Sequence, residues 1–205
     1  MELGPGWGRP DRPGAVTAVS ARFQLGRVWA DVVDLKGAIE RIEALISAGA
    51  GGAVFTPNVD HVVNSERMPA LAGAYARADL CLADGMPLVW ASRVLGPALP
   101  ERVAGSDLAG PLLARAAARG WPVFLLGGRP GAAEKAAEGL RRSGVQVVGA
   151  EGPPVGADGS VDPVVLERVR GAAPSLLLVG LGSPKQELFV DRQRPVLGST
   201  VCFAC

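Results

Sequence analysis

Asp84 lies in Leu82-Ala83-Asp84-Gly85-Met86-Pro87, where an apolar run gives way to a proline able to start a helix. A carboxylate at such a junction has two readings. It caps the coming helix, or it is a general base that takes a proton from an attacking hydroxyl. Rival bases are few, because His61 is the chain's one histidine. That single imidazole excludes zinc sites with two His ligands and leaves any Ser-His-Asp triad dependent on one residue. Acid–base chemistry therefore falls to carboxylates, and His61 itself reads as a helix-face residue.

Two glycine-rich turns open predicted helices: Leu126-Gly127-Gly128-Arg129-Pro130-Gly131 and Gly180-Leu181-Gly182-Ser183-Pro184-Lys185-Gln186-Glu187. Glycines there let backbone N–H groups and the positive helix end approach a phosphate, and Lys185 adds a cation; equally, they simply make tight strand-to-helix turns. Neither turn reads Gly-x-x-x-x-Gly-Lys-Ser/Thr or Gly-x-Gly-x-x-Gly, so an ATPase, a standard dinucleotide fold and a nucleotide-dependent oxidoreductase are not supported. In Thr56-Pro57-Asn58, Thr56 and Asn58 suit a sugar or phosphate oxygen, while Asn58 also suits stabilisation of its own turn. Arg102, in Pro100-Glu101-Arg102-Val103-Ala104-Gly105-Ser106-Asp107, is either solvated surface or a bidentate grip on a diphosphate. Ser106 or Asp107 is the expected cap of the helix that follows. No Asp-x-Asp occurs in the chain, so the expected site is metal-independent and needs no cofactor.

Apart from the Arg102 segment, which precedes a predicted helix, these residues follow apolar runs of strand length, and in open α/β sheets ligands bind outside the carboxyl ends of the strands. Strands are predicted at 28–33, 51–55, 79–83, 121–126, 145–148, 175–181 and 200–204. Between them lie helical patterns at 35–48, 59–78 (interrupted near Pro69), 130–142 and 164–170, and one beginning near Lys185. In the first helix Leu35, Ala38, Ile39, Ile42, Leu45 and Ile46 share a face. Leu176-Leu177-Leu178-Val179 is apolar without alternation, as a central strand buried on both faces should be. The expected fold is α/β, a Rossmann-like, mainly parallel sheet with helices on both faces, in a single domain at 23–205. Residues 1–22, rich in Gly and Pro, are expected to be a flexible leader, and the sheet's ending on a strand at Cys205 suggests a domain cut short at its C-terminus.

Composition narrows the partners. The 205 residues carry 21 Lys and Arg against 20 Asp and Glu, a net charge of +1, which lacks the basic field of a nucleic-acid binder. No run approaches the ~18 apolar residues of a bilayer span, so membrane contact is expected to be peripheral. Cys81, Cys202 and Cys205 are too few for a disulfide framework and point to a reducing compartment. The closing Cys-Phe-Ala-Cys reads as buried strand, since no helix follows to lower a thiol pKa.

The motifs occur together and in order. Thr56-Pro57-Asn58-Val59-Asp60-His61, Ala78-Asp79-Leu80-Cys81-Leu82-Ala83-Asp84-Gly85-Met86-Pro87, Pro100 to Asp107, Phe124-Leu125-Leu126-Gly127-Gly128 and Val179 to Glu187 closely resemble the WecG/TagA/CpsF family of bacterial glycosyltransferases. The resemblance covers residues 28–205. It implies inverting transfer of an N-acetylmannosamine-type sugar from a UDP donor to a sugar on a polyprenyl-diphosphate carrier, in cell-envelope, teichoic-acid or exopolysaccharide synthesis. It implies Asp84 as the base, with Thr56, Asn58, Arg102 and Gln186 lining the pocket and Gly127, Gly128, Gly182, Lys185 and Glu187 as further substrate contacts. It places the protein in the cytoplasm, in peripheral contact with the inner face of the plasma membrane, and extends to self-association as a homo-oligomer. Family members usually continue past the last strand into a Gly-Gly-Ala-Phe-Asp-like stretch and a basic appendage that docks on the membrane and completes the site. Without that segment, the alternative is a non-catalytic nucleotide- or phosphosugar-binding module.

Overall fold

The computed structural model describes residues 21–205. It opens on an antiparallel hairpin, β1 (Arg22–Leu25) and β2 (Val28–Asp31), joined through Gly26 at a φ of +59°. Residues 28–33, expected as the first strand of the main sheet, instead form this separate two-stranded unit. A two-residue turn with a left-handed glycine folds the chain straight back and pairs β2 with β1, and no ladder joins β2 to the main sheet. The expected leader lies outside the described residues as far as position 20, and Arg22 already belongs to β1.

Alternating elements follow: α1 (Leu35–Ala48), β3 (Gly52–Phe55), α2 (Val59–Arg67), α3 (Pro69–Arg77), β4 (Leu80–Cys81), α4 (Met86–Leu95) and α5 (Gly105–Arg119). The chain continues through β5 (Val123–Gly127), α6 (Ala132–Arg142), β6 (Val147–Glu151), α7 (Pro163–Ala172), β7 (Leu176–Gly180), α8 (Lys185–Leu197) and β8 (Val201–Ala204). Six strands form one parallel sheet in the order β4-β3-β8-β7-β5-β6, the Rossmann-like α/β architecture that the apolar runs predict. Helix α5 is not capped by Ser106 or Asp107: its N-cap is Ala104, without a side-chain bond, because Asp107 is drawn to Arg102.

Strand side chains alternate between two cores, since both faces of the sheet are covered. Val54, Leu80, Val123, Leu125, Leu176, Val201 and Phe203 face α1, α5 and α6. Ala53, Phe55, Cys81, Phe124, Leu126, Leu177, Val179 and Cys202 face α3, α7 and α8. A third cluster packs Phe23 and Ala30 of the hairpin against Leu88 and Val89 of α4.

Both borders of the sheet are met by side chains. Asp31, 1% exposed, accepts the Cys81 N–H at 3.1 Å and pairs with Arg41 at 2.9 Å and Arg22 at 3.5 Å. On the far side Arg141 donates from Nε and Nη2 to the Val147 carbonyl at 3.3 and 3.2 Å.

The layering decides where a ligand fits. The chain leaves β3 toward one face, through α2 and α3, and leaves β4 toward the other, through α5. Their carboxyl ends therefore diverge, which opens a crevice. Strands β5 and β7 diverge likewise, and the Gly128 N–H donates to the Gly180 carbonyl at 2.8 Å between their turns.

Candidate active site

The β3 and β4 turns are stitched at the crevice: the Asp84 N–H donates to the Pro57 carbonyl at 2.8 Å, and the Val103 N–H to the Ala83 carbonyl at 2.9 Å. The second bond lays the segment carrying Arg102 alongside Asp84. Thr56 follows β3 with its hydroxyl 3.4 Å from the Ala204 carbonyl, which it meets as donor. Asn58 caps α2: its Oδ1 accepts from the Asp60 and His61 N–H groups at 3.0 and 3.3 Å, while His61 Nδ1 accepts the Asn58 N–H at 3.1 Å. This reciprocal box satisfies orphan donors at the helix start, and it is the turn-stabilising role open to Asn58 from its type.

Asp84 is not a cap. The N-cap of α4 is Gly85, with no side-chain bond, so the carboxylate stays available at the mouth with its side chain 32% exposed. Arg102 Nη1 stands 3.5 Å from Asp84 Oδ1 and Arg102 Nη2 stands 2.5 Å from Asp107 Oδ2. A cation thus sits against the candidate base, fixed from its other side by a second carboxylate. Cys205 closes the near wall: its N–H donates to the Val179 carbonyl at 3.2 Å, and a Cβ on Gly105 would come within 2.6 Å of its own Cβ. Burial, and after it the charge of Asp84, pushes the Cys205 thiol pKa up.

Beneath the β3 turn lies a buried polar cluster. Gln186 Oε1 accepts the Gly182 N–H at 3.1 Å, and Gln186 Nε2 donates to Glu187 Oε1 at 3.2 Å. Glu187 is 1% exposed, its Oε1 3.4 Å from His61 Nε2. Among the described residues, His61 Nε2, Glu187 Oε2 and the Tyr75 hydroxyl are buried without a hydrogen bond. The Tyr75 hydroxyl pKa is raised, first by burial and then by the charge of Glu187.

The candidate residues fall into two sets. Thr56, Asn58, Asp84 and Arg102 share one crevice, and Gln186 reaches it through Glu187 and His61. Gly127 and Gly128 follow β5, four strand positions from β4, or about 19 Å at ~4.8 Å per strand. Their approach to Gly180 leaves no room for a side chain, since a Cβ on Gly127 would meet the Gly180 carbonyl at 2.3 Å. The Gly128 and Gly182 amides already donate to protein acceptors. Lys185 is half-buried and makes no ion pair among the described residues. A separate cavity of about 460 Å³, lined by Ala50, Arg77, Asp191, Arg194, Pro195 and Gly198, lies at the opposite, amino end of the strands. Arg77 is committed there to Asp191 at 2.6 Å, and Arg194 pairs with Asp79.

Compared with known families, residues 23–205 match the Glycosyl transferase WecG/TagA/CpsF family. The chain belongs to this family. The glycosyltransferase carries the Asp84 carboxylate beside Arg102 in the crevice between β3 and β4. Sequence reasoning did not foresee that Glu187 and His61 meet, because helices α2 and α8 come together only in the folded chain. The signal within reach was a carboxylate in the first turn of a helix with apolar neighbours, Leu188 and Phe189. Such a pattern calls for a buried partner.

Proposed function

We propose that this glycosyltransferase moves an N-acetylmannosamine-type sugar from UDP to a sugar on a polyprenyl-diphosphate carrier, with inversion and without a metal, in cell-envelope polysaccharide synthesis. The observation that carries the reading is Asp84: Gly85 replaces it as the helix cap, and the carboxylate faces the crevice beside Arg102. An Asp84 oxygen takes the proton of the acceptor hydroxyl while the hydroxyl oxygen bonds to the anomeric carbon. The bond from that carbon to the β-phosphate oxygen breaks, its electron pair leaves on UDP, and the anomeric configuration inverts. Arg102, and Lys185 from the α8 turn, offset the charge growing on the diphosphate, the kind of help that dominates many such reactions. Thr56 and Asn58 hold sugar or phosphate oxygens, and Gln186 supports the Gly182 turn.

A lipid-borne acceptor is supported by the outer face of α4, which starts directly after Asp84 and Gly85. Met86, Trp90 and Val94 recur there every fourth residue, with Trp90 57% and Val94 83% exposed. Arg93 lies beside them and α4 carries no acidic residue. Aromatic and aliphatic side chains with a cation suit peripheral contact at an anionic membrane face. None of the helices described is long and apolar enough to cross a membrane.

The test is product formation from UDP-N-acetylmannosamine and a short-chain polyprenyl-diphosphate sugar, run with and without EDTA. Stoichiometric UDP and an inverted glycosidic bond at equal rates in both reactions are expected. Absence of product, or a rate that EDTA stops and magnesium restores, overturns the corresponding part of the reading.

A further inference from the structure

We propose that Glu187 is a positioning residue of the transfer reaction. Through His61 it holds the Thr56-Pro57-Asn58 turn, through Gln186 it holds the Gly182 turn, and so one buried carboxylate sets both sides of the pocket. The inference rests on the reading that these two turns line the donor site.

A carboxylate almost wholly removed from water is costly unless partners offset it, and Glu187 has one hydrogen-bond donor and one ring nitrogen close by. Its Oε1 accepts Gln186 Nε2–H at 3.2 Å and lies 3.4 Å from His61 Nε2. The first partner ties it to α8 and, through Gln186 Oε1, to the Gly182 amide at 3.1 Å. The second partner belongs to α2, on the far side of β8 in the sheet order. Glu187 is therefore the junction between turns that follow different strands.

His61 transmits the effect through its tautomer. Which ring nitrogen carries the proton is set by what the other one meets. His61 Nδ1 stands 3.1 Å from the Asn58 N–H and 2.7 Å from Asn58 Oδ1. With the proton on Nε2, the ring presents N–H toward the Glu187 carboxylate, and Nδ1 is free to accept the Asn58 N–H, which completes the cap. With the proton on Nδ1, the ring donates to Asn58 Oδ1, the Asn58 amide loses its acceptor, and a lone pair on Nε2 faces a carboxylate. The first form sets an Nδ1 lone pair against the neutral Asn58 Oδ1 at 2.7 Å, and the second sets an Nε2 lone pair against the charged Glu187 at 3.4 Å; the full charge of Glu187 and the retained Asn58 N–H bond favour the first. Tyr75, edge-on to His61 with ring centroids 6.1 Å apart, walls the cluster.

Because His61 is the only histidine, the ring nitrogens of the ¹⁵N-labelled chain report this state without assignment. The expected wild-type signature is a proton on Nε2. Glu187→Gln, which keeps the volume and loses the charge, should move the ring toward the Nδ1–H form and raise KM for the UDP-sugar about tenfold, with a smaller change in kcat. Glu187→Asp should restore the wild-type ring signals. A wild-type ring protonated on Nδ1 alone overturns the proposal whether or not either variant folds, and so does a folded Glu187→Gln with unchanged ring signals and KM. A wild-type chain that shows the Nε2–H ring yet binds no UDP by calorimetry sinks the proposed function and this role with it. In that case the ring signals place the fault in the donor assignment, not in the buried contact.

Discussion

At the scale of single residues, Asp84 is the sharpest point of attack. An amide at this position keeps the shape and the contact with Arg102 but cannot take up a proton. Asp84→Asn should therefore lower kcat by about 10²–10⁴-fold while UDP affinity stays within about twofold, as read by product chromatography and by calorimetry. Full turnover in the variant removes Asp84 from the chemistry. Its place was legible because a carboxylate after a short apolar run falls at the rim of a parallel sheet. Whether it capped α4 was not legible, since that depends on which of two adjacent residues takes the N-cap, and Gly85 takes it. Glu187 was illegible for a different reason. Its position beside Gln186 suggests a shared ligand, but helix geometry and packing turn it inward to His61.

Among the elements, the meeting of β5 and β7 is held by glycine. Gly127 has a φ of +120°, and a Cβ there would lie 2.3 Å from the Gly180 carbonyl. Gly127→Ala is expected to cost about 1–3 kcal/mol through backbone strain and displacement of the β7 turn. Urea unfolding followed by circular dichroism measures this, and a midpoint equal to wild type would show that the two turns separate freely. The helices and parallel strands were readable because their periodicities are local: α1 coincides with its predicted span, and Pro69 marks the break between α2 and α3. The hairpin was not. Strand β1 offers only Phe23 and Leu25 as apolar residues, and its pairing with β2 rests on the Gly26 turn. Strand β4 came out shorter than its apolar run, because after Cys81 the chain already bends toward the crevice.

For the whole molecule, the buried thiols set a limit on the alkaline side. Burial pushes the Cys202 thiol up to about 12, and burial, followed by the charge of Asp31, raises that of Cys81. The folded state holds both protons more tightly than the unfolded chain, where a thiol ionises near ~8.5. Stability from this source is complete below that pH and declines as pH rises toward about 12, the Cys202 value. The decline is roughly 1.4 kcal/mol per pH unit for each thiol. Urea midpoints at a series of pH values from 7 to 11 should fall less steeply for Cys202→Ala than for wild type; parallel slopes would contradict this.

The occupied borders of the sheet bear on how copies of the chain can meet. A bare outer strand invites a neighbour to extend the ladder, the route to uncontrolled polymers. Here a carboxylate takes the amide of Cys81 at one rim, and a guanidinium takes the carbonyl of Val147 at the other. At these two positions strand addition would have to displace a side chain already bonded to the backbone.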